Sequence, residues 1–148
     1  MIGRILRIRY ELLQEIGDNP IFMTFIAHDR VSERNVVVRM LKPKLNTEKP
    51  FIDALRKCIE DSKKLKHPKI AEALDMDEDS GEWFLVFRHC PGNSLSERMR
   101  KMSVFALPSA LNTAEGVLDA LTEVHKRGLV HGEISARNVV TNPKDETF

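Results

Sequence analysis

The chain has 148 residues, of which 42% are hydrophobic and 30% charged, with a formal net charge of +1. That length bounds it to about one domain with one modest core, and the composition is that of a globular rather than a disordered chain. The near-neutral charge excludes nucleic-acid binding held by bulk electrostatics, and no stretch approaches the ~20 apolar residues of a membrane span.

Cys58 and Cys90 lie far apart without metal-ligand spacing, and read as the reduced thiols of a cytoplasmic protein. The first nine residues are partly basic but hold no apolar run long enough for a secretory signal. The run Lys63, Lys64 and Lys66 reads as a solvated helix face rather than a binding patch.

In chain order, residues 10–16 read as a strand ending at Gly17, followed by a turn at Asp18, Asn19 and Pro20. Residues 21–28 are apolar and β-rich, and the polar residues 29–35 read as a hairpin connection. Residues 36–41 form an apolar strand carrying one charge, Arg39, with three consecutive valines favouring strand over helix. After a linker at 43–50, residues 51–66 read as a helix with Ile52, Leu55, Ile59, Ser62 and Leu65 on one face. His67-Pro68 stops it. Residues 70–76 and 83–87 read as strands around an acidic turn at 77–81.

Beyond Pro91-Gly92-Asn93, Ser94 reads as the N-cap of a short helix reaching Met102. Pro108 opens the longest helix, as proline suits a first turn. Leu107, Leu111, Ala114, Leu118, Leu121 and His125 follow an alternating four-three spacing, and Gly128 ends the helix. Residues 139–141 read as a last strand. The order predicts an α+β fold: a small sheet carrying one helix, followed by a mainly helical part.

The most distinctive segment is His131-Gly132-Glu133-Ile134-Ser135-Ala136-Arg137-Asn138, which has the spacing H-R-D-L-x-x-x-N. With the strand 10–16 and Gly17, the strand around Arg39, the Leu65-Lys66-His67-Pro68 junction and the segment 83–95, it resembles the protein kinase family, bacterial Ser/Thr kinases above all. The resemblance runs from about residue 9 to 141. It implies a small antiparallel N-lobe with one helix over residues 1–90, a hinge at about 87–92, and part of a helical C-lobe over 91–148.

The family positions ATP and magnesium for phosphoryl transfer, and each part can be compared with that demand. The phosphate-covering loop G-x-G-x-x-G keeps Gly17 alone, with Asn19 and Phe22 at the other glycine places. Phe22 is bulky, Pro20 has no N–H to give, and Asp18 adds negative charge, so the loop reads as a plain hairpin tip. Arg39 stands at the place of the phosphate-contacting lysine. It either meets a phosphate with altered geometry or snorkels to solvent or a local carboxylate. Cys58 falls at the place of the lysine's glutamate partner and is expected to face the core, with Glu60 and Asp61 nearby.

Glu133 replaces the catalytic aspartate as a carboxylate one methylene longer. Asn138 matches a magnesium-holding residue, a weak metal site by itself, and no D-F-G follows within the 148 residues. The resemblance places the nucleotide against Ile16, Gly17, Thr24, Val37, Arg39, Phe87, His89 and Cys90, with Phe87 narrowing the rear.

Four altered parts and the missing D-F-G lead to the expectation of a catalytically inactive kinase-like module, with ATP and magnesium bound weakly or not at all. It is expected to act by self-association or a protein partner through the exposed face of helix 108–126, because a large apolar patch marks a partner site. The alternative is the N-terminal part of an active ATP-dependent Ser/Thr kinase that uses Arg39, Glu133 and Asn138. A gene remnant without a selected role is a third reading.

Overall fold

A computed structural model describes residues 1–102 and 104–142. The chain divides into two compact units: Met1–Lys64 with Glu72–His89, and Leu65–Ala71 with the residues from Cys90 onward.

The first unit is a six-stranded antiparallel sheet with one helix. Its strands are β1 (Ile5–Leu6), β2 (Tyr10–Asp18), β3 (Phe22–Asp29), β4 (Arg34–Leu41), β5 (Ala73–Asp79) and β6 (Glu82–Arg88), with α1 at Lys49–Ser62. The spatial order is β1-β2-β3-β4-β6-β5. The side-chain period of two sorts the sheet into two faces. Tyr10, Leu12, Phe25, Ala27, Val36, Val38, Met40, Phe84 and Val86 fill one core. On the other face Ala73 and Leu85 pack with Ile59 of α1, flanked by Leu55, Met76 and Phe87.

Strand β1 is absent from the sequence reading, being only two residues long. Arg7 and Ile8, which link it to β2, both have left-handed φ angles of 51° and 58°. Such a conformation costs about 1–3 kcal/mol per residue, and side chains hold it in place. Arg7 Nε donates to Asp77 at 3.0 Å and its backbone N–H to Asp79 at 3.2 Å. Arg4 pairs with Asp79 at 3.0 Å and also with Glu82. The sheet's two edge strands are thus laced by guanidinium–carboxylate pairs in place of a backbone ladder.

The same pairs explain why the acidic run is strand rather than turn. β5 extends through Asp79, and only Ser80 and Gly81, with φ of 55° and 84°, make the turn. This is the two-residue hairpin that positive φ at both positions favours. The predicted helix ends four residues early, at Ser62, whose hydroxyl donates to the Cys58 carbonyl at 2.8 Å. Its core face is as expected for Ile52 and Ile59, but Cys58 is exposed rather than core-facing. The match of Cys58 to the glutamate place is a sequence position, whereas the helix turns Ile59, the next residue, into the core.

The second unit holds β7 (Asn93–Ser94), α2 (Leu95–Lys101), α3 (Leu107–Lys126) and β8 (Val140–Thr141). Ser94 caps α2 as the sequence predicts, and Glu97 completes the reciprocal capping box. Strands β7 and β8 pair, Asn93 with Thr141 and Ser94 with Val140. Arg98 of α2 donates to Thr141 Oγ1 at 2.6 Å and stacks 5.2 Å from the Phe105 ring centroid. Lys69 pairs with Asp119 of α3 at 2.6 Å. Among the described residues no helix is long and apolar enough to cross a membrane.

Helix α3 turns Thr113, Gly116 and Val124 inward. Its four-three series points the other way: Leu107 is 70%, Leu111 55% and Leu118 61% exposed. Three large apolar side chains on one helix face are therefore open to solvent.

Candidate functional site

The sheet brings several predicted residues of the first unit together. Gly17 pairs with Thr24 across β2 and β3, and Thr24 with Arg39 across β3 and β4. A Cβ built on Gly17 would lie 3.7 Å from that of Thr24, an ordinary contact, so no close approach requires glycine there. Val37 pairs with Phe87 and Arg39 with Leu85 across β4 and β6. Ile16 lies on the same β2 segment and is half exposed. His89 ends the first unit. Cys90 begins the next segment of the second and is buried.

Arg39 lies on the sheet face that carries Leu85 and packs with α1. Its guanidinium carbon sits 5.5 Å from the centroid of the Phe87 ring, within reach of a cation–π attraction. The carboxylates near a lysine equivalent, Glu60 and Asp61, are engaged with lysines just past the end of α1. Glu60 pairs with Lys63 and Asp61 with Lys64, at 2.8 and 2.9 Å. Lys64 holds the Asp61 carboxyl below the usual aspartate range.

The turn between β2 and β3 is closed on itself. Asn19 Oδ1 accepts the N–H of Ile21 at 2.9 Å and that of Phe22 at 2.7 Å. The Asn19 N–H donates to the Phe22 carbonyl at 3.0 Å. Asp18 pairs with Lys42, whose backbone N–H donates to the Ile21 carbonyl at 2.8 Å. Sequence reading missed the roles of Asn19 and Lys42. The signal for Asn19 was there: an asparagine at the start of a turn bonds backbone N–H groups two or three residues on.

In the second unit Glu133 and Asn138 come together through the backbone. Asn138 Nδ2 donates to the Glu133 carbonyl at 3.0 Å, and the Asn138 N–H to the Ser135 carbonyl at 3.0 Å. His131 Nδ1 accepts the Glu133 N–H at 3.2 Å, so its contact is with the turn itself. Gly132 has a left-handed φ of 79°, where a side chain is disfavoured. The Glu133 side chain is exposed. Asn138 has one amide oxygen with which it could ligate a cation, and among the described residues no group of three or more His, Cys, Asp or Glu could hold a metal ion.

These residues fit ATP and magnesium poorly. The arginine that would meet a phosphate lies over an aromatic ring, the turn that would cover phosphates has its N–H groups engaged, and Cys58 offers no carboxylate.

A model of the protein kinase domain matches residues 10–147. The chain is 25% identical over 140 residues to serine/threonine-protein kinase PrkC of Bacillus subtilis, covering 95% of this chain and 22% of that protein. It is 30% identical over 139 residues to a probable serine/threonine-protein kinase, PknB, of Corynebacterium glutamicum, covering 90% and 22%. The crystal structure of the Mycobacterium tuberculosis PknI kinase domain superimposes with a TM-score of 0.80 at 22% identity, over 95% of this chain and 56% of that one. The chain thus spans about a fifth of the curated relatives' length and a little over half of a solved kinase domain. Its strand order, the spacing from His131 to Asn138 and the family match over residues 10–147 make the chain a member of the protein kinase family.

Proposed function

We propose that this chain is a catalytically inactive protein-kinase-like module that acts through protein–protein contact, with ATP and magnesium bound weakly or not at all. The observation that carries the reading is Arg39 stacked over Phe87. A guanidinium drawn to the ring face is displaced from the geometry a phosphate requires, and a misplacement of ~1 Å can cost about 100-fold in rate. The exposed Cys58 at the glutamate place agrees with it, as does the self-bonded turn at Asn19. The contact surface is the open face of α3, Leu107, Leu111 and Leu118, because a contiguous apolar patch is stabilised by removal from water.

Thermal stability with and without ATP and magnesium tests the site. A ligand at 100 times its Kd adds about 2.7 kcal/mol, and the reading expects no such gain at millimolar nucleotide. A gain lost in Arg39→Ala would refute it. The surface is tested by solution mass: wild type associates with itself or an added partner, and Leu111→Glu with Leu118→Glu abolishes that association.

The second reading is the N-terminal part of an active Ser/Thr kinase. It is favoured by the bond from Asn138 to the Glu133 carbonyl, which keeps the loop formed with a carboxylate at its centre.

A further inference from the structure

We propose that Asn19 is a built-in surrogate ligand: its side-chain oxygen occupies the backbone donors of the β2–β3 turn and thereby shuts that turn to phosphate. This rests on the reading of a weak nucleotide site and names the residue that weakens it.

The hydrogen-bond accounting of the turn is complete. Residues 19–22 carry three backbone N–H groups, because Pro20 has none. The Asn19 N–H goes to the Phe22 carbonyl. Those of Ile21 and Phe22 both go to Asn19 Oδ1, at 2.9 and 2.7 Å. A turn holds an anion by aiming successive N–H groups at it. Here the acceptor at their focus is the chain's own amide oxygen, tethered and present at effectively constant concentration.

A second, independent anchor fixes the same turn. Asp18 pairs with Lys42, and the Lys42 N–H holds the Ile21 carbonyl at 2.8 Å. The tip is therefore tied at both ends to the close of β4. The Asp18 carboxylate also engages the Lys42 ammonium, so that cation is drawn to the chain's own carboxylate and not left for a phosphate.

The neutral amide is replaceable. Asn19 is exposed at a hairpin tip, outside both cores, so its substitution leaves the sheet intact. Asn19→Gly frees both N–H groups and restores a flexible backbone. Asn19→Asp keeps an acceptor oxygen in the same place while adding a negative charge that also disfavours phosphate, so it serves as the variant that stays shut.

The experiment titrates wild type, Asn19→Gly and Asn19→Asp with ATP–magnesium and, separately, with inorganic tripolyphosphate, by calorimetry. Amide hydrogen exchange at Ile21 and Phe22 is measured in parallel. The expected result is at least tenfold tighter binding of both probes by Asn19→Gly, faster exchange at both amides in that variant, and, in Asn19→Asp, wild-type amide exchange with binding no tighter than wild type. If the two amides exchange faster in Asn19→Gly but neither probe binds tighter, the surrogate role is overturned while the inactive reading stands. If the amides exchange no faster, Asn19 does not close the turn and the proposal also fails. Tight binding by wild type would overturn this proposal together with the reading beneath it.

Discussion

Arg39 and Phe87, on neighbouring strands of one sheet face, are joined as cation and ring, with the guanidinium carbon 5.5 Å from the ring centroid. The register explains the meeting. Val37 pairs directly with Phe87, so Arg39 is the next side chain on that face and reaches diagonally to the ring. A planar guanidinium stacks on an aromatic face better than a compact ammonium does. Arg39→Lys is therefore expected to lower stability by about 0.5–1 kcal/mol, a shift of a few degrees in Tm. A double-mutant cycle of Arg39→Ala and Phe87→Ala isolates the pair from Arg39's other contacts. Coupling near zero would show that the stack contributes nothing.

Asp29 and Arg9 predict an acid response. Asp29 is buried at 3% exposure and accepts both Arg9 Nε at 2.7 Å and Arg9 Nη2 at 2.8 Å. It also accepts the Ser32 hydroxyl and the Val31 N–H. The Arg9 guanidinium holds the Asp29 carboxyl well below the usual carboxylate range, against the upward push of burial. Arg4 does the same for Asp79. A depressed folded-state value means the unfolded chain binds more protons, so stability rises with pH through this window. The contribution is fully present above about pH 4, the ordinary carboxylate value, and is lost as pH falls through the depressed value. Denaturant unfolding from pH 7 to 2 should show that decline. Asp29→Asn should cost on the order of 2 kcal/mol at pH 7 and flatten the acid limb.

Gly92 predicts a steric cost in the second unit. Its φ is 140°, and a Cβ there would lie 2.8 Å from the Thr141 carbonyl carbon. The adjacent Asn93 pairs with Thr141, so the backbone must stay close. Gly92→Ala is expected to cost about 2 kcal/mol or more, from strain and displaced contact together. The loss should appear as faster amide exchange around β7 and β8, with the six-stranded sheet unchanged.

Much of this architecture is legible in the chain. Apolar runs mark β2, β3, β4 and β6, the spacing of Ile52 and Ile59 marks the inner face of α1, and Ser94 with Glu97 marks the start of α2. Three features are not legible, each for a physical reason. Strand β1 has two residues and no period to read; it exists because Leu6 is buried and Arg4 meets Asp79. The inward side of α3 carries Thr113, Gly116 and Val124, which no apolar period marks, whereas the open leucine face is the one the sequence leads one to expect. The stack of Arg39 on Phe87 depends on the register between β4 and β6, a long-range pairing that neither strand encodes alone. At the candidate site, His131, Glu133 and Asn138 are readable from spacing, whereas the closure by Asn19 is a local signal that glycine counting passes over.

The central claim is tested most directly by phosphate transfer from γ-labelled ATP with magnesium to a generic serine/threonine substrate, wild type against Glu133→Ala. The Glu133 side chain is exposed in a loop, so its removal leaves the fold intact. The account predicts no transfer by wild type above the Glu133→Ala background. Transfer by wild type that disappears in Glu133→Ala would contradict it and make Glu133 the catalytic carboxylate of a working kinase.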